Sequence, residues 1–306
     1  MVLGIGSYTY PWAIGVSGFP SPRDPLTPEV LIARAAQMSV TLVQICDNMP
    51  LHRLEDSRLD KLRDLSESWG LRLEVGTRGV EESMLTRYLD IAKRLNARLV
   101  RSMISLNDEV PDRRSVRGAL RNVLPAYENE GIVLALENYE RHSCRYLADL
   151  VKGMRSPALG VCLDTVNSYG AMETPADAIR LLGRYSRSLH IKDFKVERTE
   201  GGLGFRVSGA PACEGMLDVP WLLDRMSRFE DGLSAVLELW TPYEESVERT
   251  VALEMEWSER SLINLRRLME ARERDAAARA AAEEAAPETK PARRQTTKAK
   301  KGSRKT

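Results

Sequence analysis

The chain of 306 residues carries only four cysteines, Cys46, Cys144, Cys162 and Cys213, widely spaced and with no C-x-x-C pair. That spacing excludes a zinc ribbon and a disulfide framework, and it fits a reducing, cytoplasmic setting. No stretch approaches the roughly 20 consecutive apolar residues that span a bilayer. The opening Met1-Val2-Leu3-Gly4-Ile5-Gly6 has no basic n-region and runs directly into polar and aromatic residues, so no secretory leader is expected. A glycine-rich phosphate loop is also missing. Gly4-Ile5-Gly6-Ser7 lies within an apolar run and lacks the third glycine of a dinucleotide-binding turn. An excess of positive charge is absent from most of the chain. The formal net charge is +1, but from Glu288 onward eight basic residues face one acidic residue, a net +7 that leaves −6 for the rest. Such a body is not built to bind nucleic acid, and at most the tail would make weak contacts with RNA, DNA or an acidic partner.

What the chain does have is apolar material, 43% of residues, arranged in short runs that alternate with longer amphipathic stretches. Candidate strands are 3–8, 42–46, 71–75, 99–104, 132–137, 159–164, 188–191 and 235–239. Each is nearly continuous in Leu, Val and Ile, as strands covered on both faces are. Thr27-Pro28 and Thr174-Pro175 read as helix starts, and Thr241-Pro242-Tyr243-Glu244 reads as a capping box. Gly70 and Gly131 stand where helices should end in a left-handed residue. Eight strands alternating with helices predict an α/β fold, a single-domain (β/α)₈ TIM barrel over residues 1–270. Residues 271–306 are expected to form a helical extension, over 276–286, followed by a disordered basic tail.

Four of the apolar runs end in, or close to, a metal-ligand residue: Glu137, Asp164, His190 and Glu238. They follow one another at 27, 26 and 48 residues, and the longest interval contains a glycine-rich stretch, 200–215, that reads as a loop over the barrel mouth. At the carboxyl ends of barrel strands, three carboxylates and one imidazole would aim at a common point. Unpaired, such buried charges are unstable, so a cation should sit among them. The oxygen-rich donor set suits one divalent metal, Mn²⁺ foremost, with Mg²⁺, Co²⁺ or Zn²⁺ as alternatives. Arg78 follows the third strand, Arg101 lies on the fourth, Lys192 shares a face with His190, and Arg206 lies in the long loop; together they predict an anionic substrate. Trp12, with Tyr8 and Tyr10, is placed to stack on a sugar ring.

The segments Leu136-Glu137-Asn138, Cys162-Leu163-Asp164-Thr165-Val166-Asn167, His190-Ile191-Lys192-Asp193 and Leu237-Glu238 resemble the xylose isomerase-like barrel superfamily of sugar isomerases and epimerases. Cys213-Glu214-Gly215-Met216-Leu217-Asp218 resembles that superfamily's G-x-G-x-x-D loop, with cysteine at the first glycine. The resemblance covers about residues 2–270 and implies that Glu137, Asp164, His190 and Glu238 hold one divalent metal, with Glu137 and Glu238 also acting as the acid/base pair. It further implies a small-molecule sugar or sugar-acid substrate and a possible homodimer. Two positions depart from the ketose 3-epimerase pattern: Asn167 stands where a histidine is usual, and Ser143 where a second glutamate is usual.

The leading expectation is isomerisation or epimerisation of a sugar or anionic sugar derivative through a metal-stabilised enediolate. The alternative is decarboxylation of a 3-oxo sugar acid, of the 3-oxo-isoapionate type, which passes through the same kind of enediolate. An abasic-site endonuclease would need many histidines, and the chain has only His52, His142 and His190. A metal-free, non-catalytic binding protein would make the four-residue pattern incidental.

Overall fold

A computed structural model of the chain describes residues 1–106, 109–229 and 233–285. Eight parallel strands close into a barrel: β1 (Val2–Gly6), β2 (Leu42–Ile45), β3 (Arg72–Gly76), β4 (Leu99–Met103), β5 (Val133–Glu137), β6 (Leu159–Asp164), β7 (Ser186–Ile191) and β10 (Ser234–Leu237). Around the barrel the order is β1, β10, β7, β6, β5, β4, β3, β2, with β2 pairing back onto β1. The described helices are α1 (Pro11–Ile14), α2 (Pro28–Gln37), α3 (Asp56–Ser68), α4 (Glu82–Arg94), α5 (Arg113–Glu130), α6 (Cys144–Met154), α7 (Pro175–Leu182), α8 (Val219–Met226) and α9 (Val247–Ala285). Met1–Arg267 form one compact unit, the barrel, and from Leu268 to Ala285 the chain is described as a helix. The basic tail expected to be disordered, 287–306, lies outside the described residues. No described helix is long and apolar enough to cross a membrane.

The helix starts at Thr27 and Thr174 form as the sequence predicts. Each side chain accepts a backbone N–H of the first turn, and Thr174 forms a reciprocal box with Asp177. Gly70 and Gly131 adopt left-handed φ values of 66° and 61°. The expected capping box at Thr241 does not form. Its carbonyl is taken by the Trp12 indole N–H at 2.7 Å, and α9 begins later, at Val247, with Ser246 Oγ accepting from the Arg249 N–H at 3.2 Å.

Three other expectations change. The first strand ends at Gly6, because Thr9 turns the chain: its hydroxyl donates to the Leu237 carbonyl at 2.5 Å and accepts from the Gly6 N–H at 2.9 Å. The last strand ends at Leu237, although the Glu238 N–H still donates to the Ile191 carbonyl at 3.1 Å. The stretch expected as a loop over 200–215 belongs instead to an antiparallel hairpin, β8 (Asp193–Arg198) with β9 (Phe205–Ala210). Gly201, Gly202 and Gly204, all at positive φ, make its tip. Asp193 clamps its base, accepting from the backbone N–H groups of Phe194, Gly215 and Leu217. A Cβ at Gly215 would lie 2.1 Å from Asp193 Oδ1, and Cys213 sits at φ 69°, the left-handed region where glycine is least strained.

Two local features aim the barrel interior. Between β6 and β7 the register shifts by one residue after Val161. Continuing the Val161–Ser186 register would set Asp164 level with Leu189; the shift sets it level with His190. On β3, Gly76 leaves room for a long side chain from the next strand: a Cβ there would lie 2.8 Å from Cys46 Sγ and 3.3 Å from Arg101 Cδ. Gly76→Ala is therefore expected to lower the unfolding free energy by about 1–3 kcal/mol through overpacking. Urea denaturation checks it, and an unchanged midpoint would show that the Arg101 side chain is not confined there.

Candidate metal centre

Glu137 ends β5, Asp164 ends β6, His190 is the penultimate residue of β7, and Glu238 follows β10 directly. These four strands are contiguous around the barrel, so the four side chains share one sector of its carboxyl-terminal rim. All four residues are buried. His190 Nδ1 lies 3.0 Å from Glu238 Oε1, 3.5 Å from Glu137 Oε2 and 3.8 Å from Asp164 Oδ2.

Each side chain is held by a partner. Asp164 Oδ1 accepts the N–H groups of Val166 and Asn167, both at 2.7 Å, which fixes the carboxylate and leaves Oδ2 facing the cluster. Asn138 ties the ends of β5 and β6 together, its amide accepting from the Asp164 N–H at 2.8 Å and donating to the Asp164 carbonyl at 2.9 Å. Lys192 Nζ is 2.9 Å from both Asp164 Oδ2 and Glu238 Oε2 and 4.8 Å from the centre of the Trp240 ring. Burial disfavours the Lys192 ammonium, but Asp164, Glu238 and Glu137 outweigh it and hold its pKa well above the usual range. Burial likewise pushes the Glu238 carboxyl up, yet His190, Lys192 and Arg101 prevail and bring it down to about 2.

Glu137 is placed differently. Its Oε2 is paired with the buried Arg101 guanidinium, and its Oε1 accepts from Asn167 Nδ2 at 2.7 Å. Both carboxylate oxygens are thus engaged by the protein. By contrast Asp164 Oδ2, His190 Nδ1 and Glu238 Oε1 are buried without a hydrogen-bond partner, the ammonium beside Asp164 Oδ2 lying off the hydrogen-bonding direction. Leaving such groups unsatisfied costs about 1–3 kcal/mol each, more when charged. Ligand atoms of these three residues all lie within 4.8 Å of one another. Two anionic oxygens and one imidazole nitrogen, each with a free lone pair, fit a divalent cation. A second trio, Glu137, Cys162 and His190, is as compact, and burial pushes the Cys162 thiol well above its usual range.

The residues expected to bind substrate separate into two groups. Trp12 and Lys192 line a cavity of about 330 Å³ whose wall includes Tyr8, Glu238, Trp240 and Thr241. Arg101 reaches the cluster from β4 and also donates to Asp47 Oδ1 at 2.7 Å. Arg78 donates to Asp47 Oδ2 at 3.1 Å, beside the Tyr8 hydroxyl at 3.0 Å from the same oxygen, and so joins the rim through Asp47. Arg206 is not brought to the cluster: its side chain is 74% exposed on the hairpin, 3.9 Å from Glu197. A larger cavity of about 980 Å³ lies beside α4 and α5, with Arg78 at its edge and none of the four candidate ligands in its wall.

Asp47, Gln44 and Glu74 were not expected from the sequence, and Asn138 entered there only within the segment Leu136-Glu137-Asn138. Gln44 and Glu74 carried the same signal as the four candidates, a polar residue inside a buried apolar strand. They were overlooked because they fall mid-strand rather than at an end.

The fold and the rim arrangement define a class. Residues 32–261 match the family model for the xylose isomerase-like TIM barrel, and the chain belongs to that family. Among curated proteins it is 36% identical over 262 residues to 3-oxo-isoapionate decarboxylase of Pectobacterium atrosepticum, covering 86% of this chain and 94% of the relative. Among solved structures it superposes on D-psicose 3-epimerase of Clostridium cellulolyticum with TM-score 0.66 at 16% identity, covering 88% and 99% of the two chains. A xylose isomerase-like barrel protein of Mycobacterium smegmatis in complex with magnesium gives TM-score 0.60 at 14% identity, covering 85% and 96%.

The Trp12 wall is anchored from α9: Glu254 accepts the backbone N–H groups of Trp12 and Ala13 at 2.9 and 3.0 Å. Burial pushes the Glu254 carboxyl up to about 8, against the pull of those N–H groups and of Arg34. With its pKa raised above the unfolded value, the native state holds one proton more between about pH 4.5 and 8. Stability should fall as pH rises through that window. Glu254→Gln is expected to flatten this slope in unfolding titrations; an unchanged slope would mean Glu254 ionises at its ordinary pKa.

Proposed function

We propose that this chain is a divalent-metal-dependent decarboxylase of a 3-oxo sugar acid. The observation that carries this reading over isomerisation is the state of Glu137. A 3-epimerase needs two carboxylates free to take and return a carbon-bound proton on either side of the substrate. Here Glu137 has Arg101 on one oxygen and Asn167 on the other, and Ser143 and Asn167 replace the glutamate and histidine usual in ketose 3-epimerases. Decarboxylation of a β-oxo acid requires no such proton abstraction. The carbon–carbon bond to the carboxylate breaks, its electron pair becomes an enediolate, CO₂ departs, and one proton is taken up. The extended similarity to 3-oxo-isoapionate decarboxylase supports the same choice.

Asp164, His190 and Glu238 would hold the cation, with Glu137 alongside, held by Arg101 and Asn167. When bound, a divalent cation, Mn²⁺ by preference, would supply the electron-withdrawing charge that an enediolate demands. Lys192 keeps its proton on Nζ at the cavity wall, where it suits an anionic substrate, and Arg101 and Arg78 add to the positive field of that rim. Trp12 and Trp240 give the sugar-sized cavity its apolar faces.

Supplied with Mn²⁺ and 3-oxo-isoapionate, the protein should release one CO₂ per substrate consumed. Chelation should abolish turnover, and Glu238→Ala should lower kcat/KM by at least about 100-fold. Solvent deuterium entering a ketose such as psicose, without CO₂ release from the oxo acid, would favour the isomerase reading and overturn this one.

A further inference from the structure

Beneath the carboxylate cluster the barrel interior holds a hydrogen-bonded row of polar groups. Gln44 on β2 and Glu74 on β3 are register partners, and His190 faces them from β7. Gln44 Nε2 donates to Glu74 Oε2 at 2.8 Å, and Gln44 Oε1 lies 2.8 Å from His190 Nε2. All three residues are buried.

We propose that Gln44 and Glu74 are positioning residues that select the imidazole tautomer of His190, keeping the proton on Nε2 and the lone pair of Nδ1 toward Asp164 and Glu238. The proposal rests on the reading of those residues as a divalent-cation site.

A neutral imidazole carries one N–H, and the partner of one nitrogen decides the state of the other. The Gln44 amide is oriented by its other contacts, Nε2 donating to Glu74 Oε2 at 2.8 Å and to Ser188 Oγ at 3.4 Å. At its carbonyl end, the Cys46 thiol donates to Gln44 Oε1 at 3.2 Å, and burial keeps that thiol protonated. An amide turned round would bring its carbonyl against Glu74 and its N–H₂ against the thiol. In the observed orientation Gln44 presents an acceptor to His190 Nε2, which must therefore carry the hydrogen. The Cys162 sulfur, 3.1 Å from the same nitrogen, is a weak second acceptor for it. Nδ1 is left with its lone pair, and it is this atom that has no partner beside the unpaired oxygens of Asp164 and Glu238. Orientation of a ligand imidazole through its far nitrogen is the kind of support that governs metal affinity.

The scarcity of histidine makes the test direct, because only His52, His142 and His190 contribute signals to a ¹⁵N-histidine-labelled sample. In metal-free protein, at a pH where its own ¹⁵N resonances report the neutral ring, His190 should show a protonated Nε2 and an unprotonated Nδ1. Gln44→Met should give a mixture of tautomers and weaken Mn²⁺ binding, read by calorimetry, by about 10- to 100-fold. The exchanged pair Gln44→Glu with Glu74→Gln reverses the bond between the two residues but keeps an acceptor facing His190 Nε2, and should bind Mn²⁺ within a few-fold of the parent. A simple packing role would be met by Gln44→Met as well, whose side chain is of similar volume, and would leave Mn²⁺ affinity unaltered. A neutral parent imidazole protonated on Nδ1, or a Gln44→Met variant with unaltered tautomer and affinity, would overturn the proposal. The tautomer is read without metal, so a parent that takes up no Mn²⁺ would refute the cation site while the resonances still decide the role of Gln44.

Discussion

The rest of this site depends on one constraint: three buried acceptor atoms converge at the barrel mouth without a well-directed hydrogen bond, and only Asp164 Oδ2 has a cation, the Lys192 ammonium, beside it. Each belongs to a side chain whose other polar atom is already committed. Asp164 commits Oδ1 to two backbone N–H groups, His190 commits Nε2 to Gln44, and Glu238 commits Oε2 to Lys192. The committed atoms prevent the side chains from rotating to satisfy the free ones. Asp164 Oδ2, His190 Nδ1 and Glu238 Oε1 therefore form a preorganised concentration of electron density in a place that water reaches poorly. The one-residue register shift between β6 and β7 matters because it puts Asp164 and His190 at the same height.

Glu137 breaks this pattern, and the break has chemical content. Arg101 and Asn167 hold its two oxygens in place, while burial pushes its carboxyl above the usual range. Arg101 in turn bridges to Asp47, which also receives Arg78 and Tyr8, so the cationic side of the rim is one connected network. Lys192 supplies a second cation, flanked by carboxylates on one side and by the Trp240 ring on the other. The cavity beside this rim is lined by an ammonium, a carboxylate and two indoles.

Much of the barrel was legible because buried parallel strands leave continuous Val, Leu and Ile runs, and because threonine–proline pairs mark helix starts. The hairpin was not read, since glycines at its tip obscured the alternation of Phe194, Val196, Phe205 and Val207 on its two arms. The Thr241 cap was misread because a capping sequence states what a backbone could do: the Thr241 hydroxyl is buried without a partner, and the helix starts at Val247 with Ser246 as its cap. Glu137, Asp164, His190 and Glu238 stood out as polar interruptions at strand ends, and the structure brings them together. That Glu137 is occupied on both oxygens could not be read from its own strand. It follows from Arg101 on β4, which Gly76 on β3 leaves room for, and from Asn167 beyond β6. Arg206 shared the basic character of the rim residues, but charge alone does not say on which part of a hairpin a side chain will stand.

The central claim, that Asp164, His190 and Glu238 form a site for one divalent cation, is tested most directly by counting ions. Metal-stripped protein would be incubated with Mn²⁺, freed of excess and subjected to elemental analysis beside Asp164→Asn and His190→Ala variants. One ion per parent chain, and far less than one in either variant, is the predicted result. A parent chain that retains no ion, or variants that retain as much as the parent, would contradict it.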